Sequence, residues 1–119
     1  MSKIMINSTF GKDNVERASL AVVVGKTALA AGQEAVLLLT IDGAWVATKG
    51  YSDSLQAKGF EPLGKLVSDF VAAGGEVWVC GACAKPREIT DGDLVPGAKI
   101  VGATMAVEAM VGGAPTLSF

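Results

Sequence analysis

“QEAVLLLTIDG”, residues 33–43, has an unbroken apolar run at its centre. A strand with one wet face alternates apolar and polar residues, whereas a continuous run is typical of a central parallel strand covered on both faces. We therefore predict a buried parallel strand over Ala35–Ile41. The segment that follows, residues 44–60, is ambiguous between a turn with a short helix and a loop.

Helical and extended patterns alternate on both sides of this strand. Asp13 or Asn14 can cap a long apolar helix that Gly32 ends. Pro62 suits the first turn of a second helix, and the paired glycines at 74–75 suit its end. The remaining predicted elements are strands at 3–9, 76–80, 99–102 and 114–119, a short helix from 81 and a helix over 103–113.

The alternation of strands and helices predicts an α/β sandwich with a mainly parallel sheet of about five strands. At 119 residues, the chain is expected to form one domain over 1–119.

The surface is short of charge for a small chain. Half of the residues are hydrophobic and 18% are charged, against about 25% in average soluble proteins. Because a small chain has much surface for its volume, we predict a homo-oligomer. The net charge of −2 and the scattered basic residues do not favour direct binding of nucleic acid.

Neither a membrane span nor a secretory signal is predicted. The longest strongly apolar run, residues 20–25, is far shorter than the ~20 residues of a transmembrane helix. The first residues become polar too soon for a secretory signal. We therefore expect a cytoplasmic protein, in which thiols stay reduced.

Several classes of chemistry are excluded by residue type. The chain has no histidine, so Ser-His-Asp and Cys-His catalysis and histidine-ligated metals are excluded. Gly25-Lys26-Thr27 resembles the end of a phosphate-binding loop, but Leu20 stands where the first glycine is required and the triplet lies inside a predicted helix. No cofactor is expected.

Both cysteines lie in “WVCGACAKPREI”, residues 78–89. Cys80 ends a predicted strand, at the sheet edge where ligands gather in open parallel sheets. A helix start follows, whose free N–H groups favour a negative charge, so the pKa of this thiol is expected below ~8.5. Lys85 and Arg87 add positive charge. We predict Cys80 as the reactive thiol, whereas Cys83 is equally well interpreted as a packing residue.

The residues leave several functions open. A closed zinc site needs four ligands, of which a single C-x-x-C supplies two. The same motif at a helix start is typical of dithiol–disulfide chemistry, although thioredoxin-like folds place it after an early strand. A single accessible thiolate can instead take up a sulfane sulfur as a persulfide and pass it on. The cysteines of a non-catalytic oligomeric interaction module would only pack.

The chain resembles the DsrE/DsrF-like family. The resemblance is carried by “MINSTFGKDNVERASLAVVVGKTALAAGQEAVLLLTIDG” at 5–43, “VWVCGACAKPREI” at 77–89 and “DLVPGAKIVGATMAVEAMVGGAPTLSF” at 93–119. Members include sulfur-relay proteins and small proteins described as predicted peroxiredoxins. The resemblance implies a flavodoxin-like, three-layer DsrEFH-type sandwich that assembles as a trimer or hexamer. It also implies protein partners that donate and accept sulfur.

The resemblance further assigns Cys80 to the carrier cysteine, and Lys85 and Arg87 to the basic positions after it. Glu88 departs from the glycine that members often have after the arginine. We hypothesise a sulfurtransferase-type carrier with a persulfide on Cys80. The alternatives are a dithiol pair of Cys80 and Cys83, acting as a peroxiredoxin or a persulfide reductase, and the interaction module. The residues expected to bind substrate or partner are Gly81, Lys85, Arg87 and Asp42, of which Asp42 either holds its loop or faces a substrate.

Overall fold

The computed structural model describes residues 3–119, in which five strands form one sheet. The strands are β1 (Lys3–Ser8), β2 (Glu34–Leu39), β3 (Glu76–Cys80), β4 (Ala98–Val101) and β5 (Thr116–Ser118). The α-helices are α1 (Val15–Ala30), α2 (Leu63–Ala72), α3 (Gly81–Ala84) and α4 (Ala103–Val111). Every strand pair is parallel, so the predicted α/β fold with a parallel sheet is confirmed.

The strands lie in the order β4-β3-β2-β1-β5. The chain steps from β1 to β4 in one direction and then crosses the whole sheet to place β5 beside β1. This order differs from the 2-1-3-4-5 order of flavodoxin, although both are α/β sandwiches. The buried strand β2 is at the centre of the sheet, as its apolar run predicts.

The helices form two unequal outer layers. One sheet face packs against α1 and α2 in a large buried cluster that includes Ile6, Leu37, Val79 and Phe70. On the opposite face, Met5, Val36, Trp78 and Val101 form a smaller cluster that packs against α4. No residue of α4 is itself fully buried, so this second layer is thin.

The Gly25-Lys26-Thr27 triplet lies inside α1 and serves helix packing. A side chain on Gly25 would come within 2.7 Å of the Phe70 ring of α2, so glycine allows the two helices to approach. The Lys26 ammonium lies 3.6 Å from the Asp69 carboxylate and 4.0 Å from Glu61. These contacts agree with a partly solvated lysine on a helix.

Most element boundaries follow local chemistry. The Asn14 side chain accepts a hydrogen bond from the Arg17 N–H at 3.1 Å and caps α1. Gly32 and Gly74 follow α1 and α2 with φ of 85° and 101°, a conformation that glycine adopts readily. β2 ends at Leu39, two residues before its predicted end, because Ile41 has a φ of 55° and begins a 3₁₀ helix over Ile41–Ala47.

Among residues 3–119, none of the helices combines the length and apolar character that crossing a bilayer requires.

Candidate functional site

Cys80 ends β3, beside β4, and the chain segments that follow these two strands run on opposite faces of the sheet. It is the last residue of β3 and the N-cap of α3, and its register partner on β4 is Val101. The segment after β3 packs with the α1–α2 layer, whereas α4, which follows β4, packs on the opposite face. In open α/β sheets, ligands bind in the crevice that such diverging connections leave at the carboxyl edge.

Cys83 lies three residues further on, half-buried, with its thiol against the Cys80 side chain. Burial raises the pKa of the Cys83 thiol above its ordinary value, and the hydrogen bond to Cys80 raises it further. The backbone N–H of Ile41 and the charge of Arg87 act in the opposite direction. The net effect holds the pKa of the half-buried Cys83 thiol above its ordinary value, beside the Cys80 side chain.

Arg87 joins the two loops that form this site. Its Nη2 and Nε donate to Oδ1 of Asp42 at 2.9 and 3.2 Å, and its Nη1 donates to the Cys83 carbonyl at 3.1 Å. Asp42 belongs to the 3₁₀ helix after β2, whereas Arg87 belongs to the 3₁₀ turn after α3. These hydrogen bonds tie the loop of Asp42 to the segment that carries Cys83.

Gly81 and Lys85, the other two predicted residues, lie beside this network. Gly81 follows Cys80 against β4, where a side chain would stand 3.3 Å from the Val101 carbonyl oxygen. Lys85 is exposed on the turn that ends at Arg87. The structure thus brings Cys80, Cys83, Arg87 and Asp42 together, while Lys85 stays at the surface.

Two strained residues border the site. Among residues 3–119, the non-glycine residues with positive φ are Ile41 at 55° and Glu88 at 57°. A β-branched residue in this region is a conformational outlier, and such strain collects at functional sites. The Ile41 backbone lies beside the Cys83 thiol, whose pKa it lowers, and the Ile41 side chain is 53% exposed.

A cavity next to Asp42 was missed by the sequence analysis. It measures about 400 Å³ and is lined by Lys12, Asp13, Asp42, Trp45 and Tyr51. We call it the aromatic cavity, because its two aromatic rings stack with centroids 6.1 Å apart. The tyrosine hydroxyl accepts a hydrogen bond from the Lys12 N–H at 2.8 Å. A signal was present in the two aromatic residues of the ambiguous segment 44–60.

Comparison with known proteins places this chain in a family. The model of the DsrE/DsrF-like family matches residues 2–119. The chain is 32% identical over 103 residues to the uncharacterized protein MJ0760 of Methanocaldococcus jannaschii, covering 87% of this chain but only 38% of the relative. It is 35% identical over 97 residues to the uncharacterized protein MJ0989 of the same organism, covering 82% of this chain and 79% of the relative.

Two solved structures share the fold over the full length of both chains. The protein of unknown function MTH1491 from Methanobacterium thermoautotrophicum superposes with a TM-score of 0.81 at 15% identity. The ychN protein from E. coli superposes with a TM-score of 0.76 at 17% identity. At these identities the two solved structures show a shared fold alone. The match to the family model is a match of sequence, and it covers residues 2–119. This protein belongs to the DsrE/DsrF-like family.

Proposed function

We propose that this protein is a sulfur carrier that holds sulfane sulfur as a persulfide on Cys80 and passes it to a partner protein. The observation that carries the proposal is the position of Cys80 at the crevice between β3 and β4, with the Cys83 thiol beside it. Membership of a family that includes sulfur-relay proteins supports it.

The uptake step needs one thiolate and a donor that contains an S–S bond. The Cys80 thiolate attacks the terminal sulfane sulfur of a polysulfide or persulfide. A new S–S bond forms on Cys80, the S–S bond of the donor breaks, and its electron pair leaves on the shortened donor thiolate. Transfer to an acceptor thiolate repeats this exchange and restores the Cys80 thiolate.

The neighbouring residues have supporting roles in this proposal. The Cys83 thiol lies beside the Cys80 side chain, close enough to interact with it. Arg87 fixes the Cys83 segment against Asp42. Lys85 is exposed beside the site and offers a positive charge to an acceptor protein.

Intact mass spectrometry of the reduced protein after exposure to polysulfide tests the proposal. Wild type, Cys80→Ser and Cys83→Ser are compared, and the expected result is one added sulfur atom that is lost only in Cys80→Ser. The serine variant at Cys83 is the matched control, because it removes the neighbouring thiol and keeps the size of the side chain. Absence of sulfur from all three proteins would contradict the carrier and favour the interaction module.

The contact between the two thiols favours a second candidate, a persulfide reductase. The Cys83 thiolate would attack the Cys80 sulfur of the persulfide, forming a Cys80–Cys83 disulfide and releasing the outer sulfur as hydrosulfide. The same experiment identifies this activity. Loss of two hydrogen atoms together with sulfide release, abolished by either serine substitution, would show a reductase, whereas a stable persulfide on wild type would show a carrier.

A further inference from the structure

We propose that the aromatic cavity binds the sulfur donor, and that this donor is a small α-amino acid persulfide of the cysteine persulfide type. The inference rests on the proposed function, because it assigns a substrate class to the same site.

The cavity lies at the same sheet edge as the thiols. Lys12 and Asp13 come from the loop after β1, and the other lining residues come from the segment after β2. Asp42 connects the aromatic cavity with the cysteine segment. It lines the cavity and is held by Arg87, which also donates to the Cys83 carbonyl. The residue before Asp42, Ile41, has its backbone beside the Cys83 thiol. A ligand bound against Asp42 therefore lies one side chain, that of Arg87, away from the Cys83 backbone.

The charges in the cavity match a zwitterion. Lys12 can bind a carboxylate, and the two aspartates can bind an ammonium group. The Gly11 N–H donates to Oδ1 of Asp13 at 2.7 Å, and Arg87 donates to Oδ1 of Asp42. Among residues 3–119, these bonds leave Oδ2 of each carboxylate for a ligand. An inorganic polysulfide has no ammonium group and would leave both carboxylates unused.

The size and the aromatic lining also favour a small organic donor. At about 400 Å³, the cavity is at the small end of the ~300–1,000 Å³ range of small-molecule sites. The stacked rings of Trp45 and Tyr51 offer an apolar surface for the methylene and the polarizable sulfur of the donor. The cavity thus suits an amino-acid-sized ligand rather than a folded partner.

The chemical step needs no further reactant. The Cys80 thiolate attacks the outer sulfur of the protonated persulfide R–S–SH, where R is the amino acid. The S–S bond of the donor breaks, its electron pair leaves on R–S⁻, and the proton stays on the new Cys80 persulfide. The free amino acid thiolate then leaves the cavity.

Binding is tested apart from sulfur transfer with S-methyl-L-cysteine, which cannot react. NMR of the indole N–H signal of Trp45 follows the titration of wild type, Lys12→Met and Lys58→Met. The expected result is saturable binding that Lys12→Met weakens about tenfold and that Lys58→Met, an exposed site on another loop, does not weaken. S-methylcysteamine, which lacks the carboxylate, should bind equally to all three proteins. Absence of saturation, or equal affinity for S-methyl-L-cysteine in Lys12→Met, would overturn the inference.

Sulfur transfer then separates this inference from the carrier proposal. The rate of Cys80 loading is measured with cysteine persulfide and with inorganic polysulfide, and the ratio of the two rates is compared between variants. The ratio should fall about tenfold in Lys12→Met and stay at its wild-type value in Lys58→Met. Loading at the same ratio in both variants overturns the donor site and leaves the carrier standing. Absence of loading by either donor overturns both.

Discussion

Glu88, which directly follows Arg87, has a left-handed backbone conformation. Its φ of 57° and ψ of 32° cost an L-residue roughly 1–2 kcal/mol, and glycine removes that strain while losing about 0.5–1 kcal/mol of chain entropy on folding. We expect Glu88→Gly to raise the free energy of unfolding by up to about 1.5 kcal/mol, measured by urea denaturation. Glu88→Ala removes the same charge and keeps the strain, so equal midpoints for the two variants would contradict this explanation.

The Cys83 thiol should titrate above the range of an ordinary thiol. Burial is the largest cause that raises its pKa, and this cause remains when Cys80 is replaced. In Cys80→Ser, the rate of alkylation of Cys83 by iodoacetamide should therefore still be rising at a pH of about 10, where an ordinary thiol with a pKa of ~8.5 is almost fully ionised. The same protein in urea provides the unburied reference. A plateau of the rate in the folded protein at the same pH as in urea, or at a lower pH, would show that burial does not raise the pKa.

At the scale of the element, the 3₁₀ helix after β2 depends on a close approach at Gly43. A side chain there would overlap the Ser8 carbonyl oxygen, so Gly43→Ala must displace the backbone that carries Asp42. We expect a loss of about 1–3 kcal/mol in the free energy of unfolding, measured by guanidinium denaturation. Gly92→Ala is the matched control, because its added methyl group lies 3.9 Å from the nearest atom, the hydroxyl oxygen of Thr90. Equal losses in both variants would contradict the steric explanation.

The elements also show which features the sequence predicts. β2 and β3 were predictable because their apolar runs are short and bounded by turn residues, and α2 because proline and glycine flank it. Glu88 departs from the glycine that family members often have at this position. The preference for glycine has a local cause, because the backbone there is left-handed. The pairing of Arg87 with Asp42 joins residues 45 positions apart, which local patterns do not determine. The aromatic cavity combines two separate loops, so its two aromatic residues in segment 44–60 signal only half of its lining.

At the scale of the whole molecule, the strand order accounts for the position of the thiols. Because β4 is followed by a crossover on the face opposite to α1 and α2, the carboxyl ends of β3 and β4 have no common cover. Cys80 lies at this opening. The connection from β4 to β5 crosses the sheet with the single helix α4, so the outer layer on this face is thin. One topological choice therefore produces both the crevice and an exposed apolar face.

That apolar face leads to a prediction about assembly. Val107, Met110 and Val111 lie on one side of α4 at helical spacing, and all three are exposed, Val111 to 83%. The adjacent strand β5 is an uncharged sheet edge whose three residues are exposed, and free edges readily pair with another chain. We propose that further copies of this chain cover the face, as in the trimer or hexamer that the family resemblance implies.

Size-exclusion chromatography with light scattering measures this assembly directly. The wild-type mass should be a multiple of 12.1 kDa, and Val111→Lys should shift it toward the monomer, because burying an unpaired ammonium in an interface is unfavourable. The substitution leaves the monomer fold intact, since the side chain is exposed in the single chain. Ser54→Lys adds the same charge at an exposed position of another loop and should keep the wild-type mass. A wild-type monomer at micromolar concentration, or equal masses for the two lysine variants, would show that this face does not join copies of the chain.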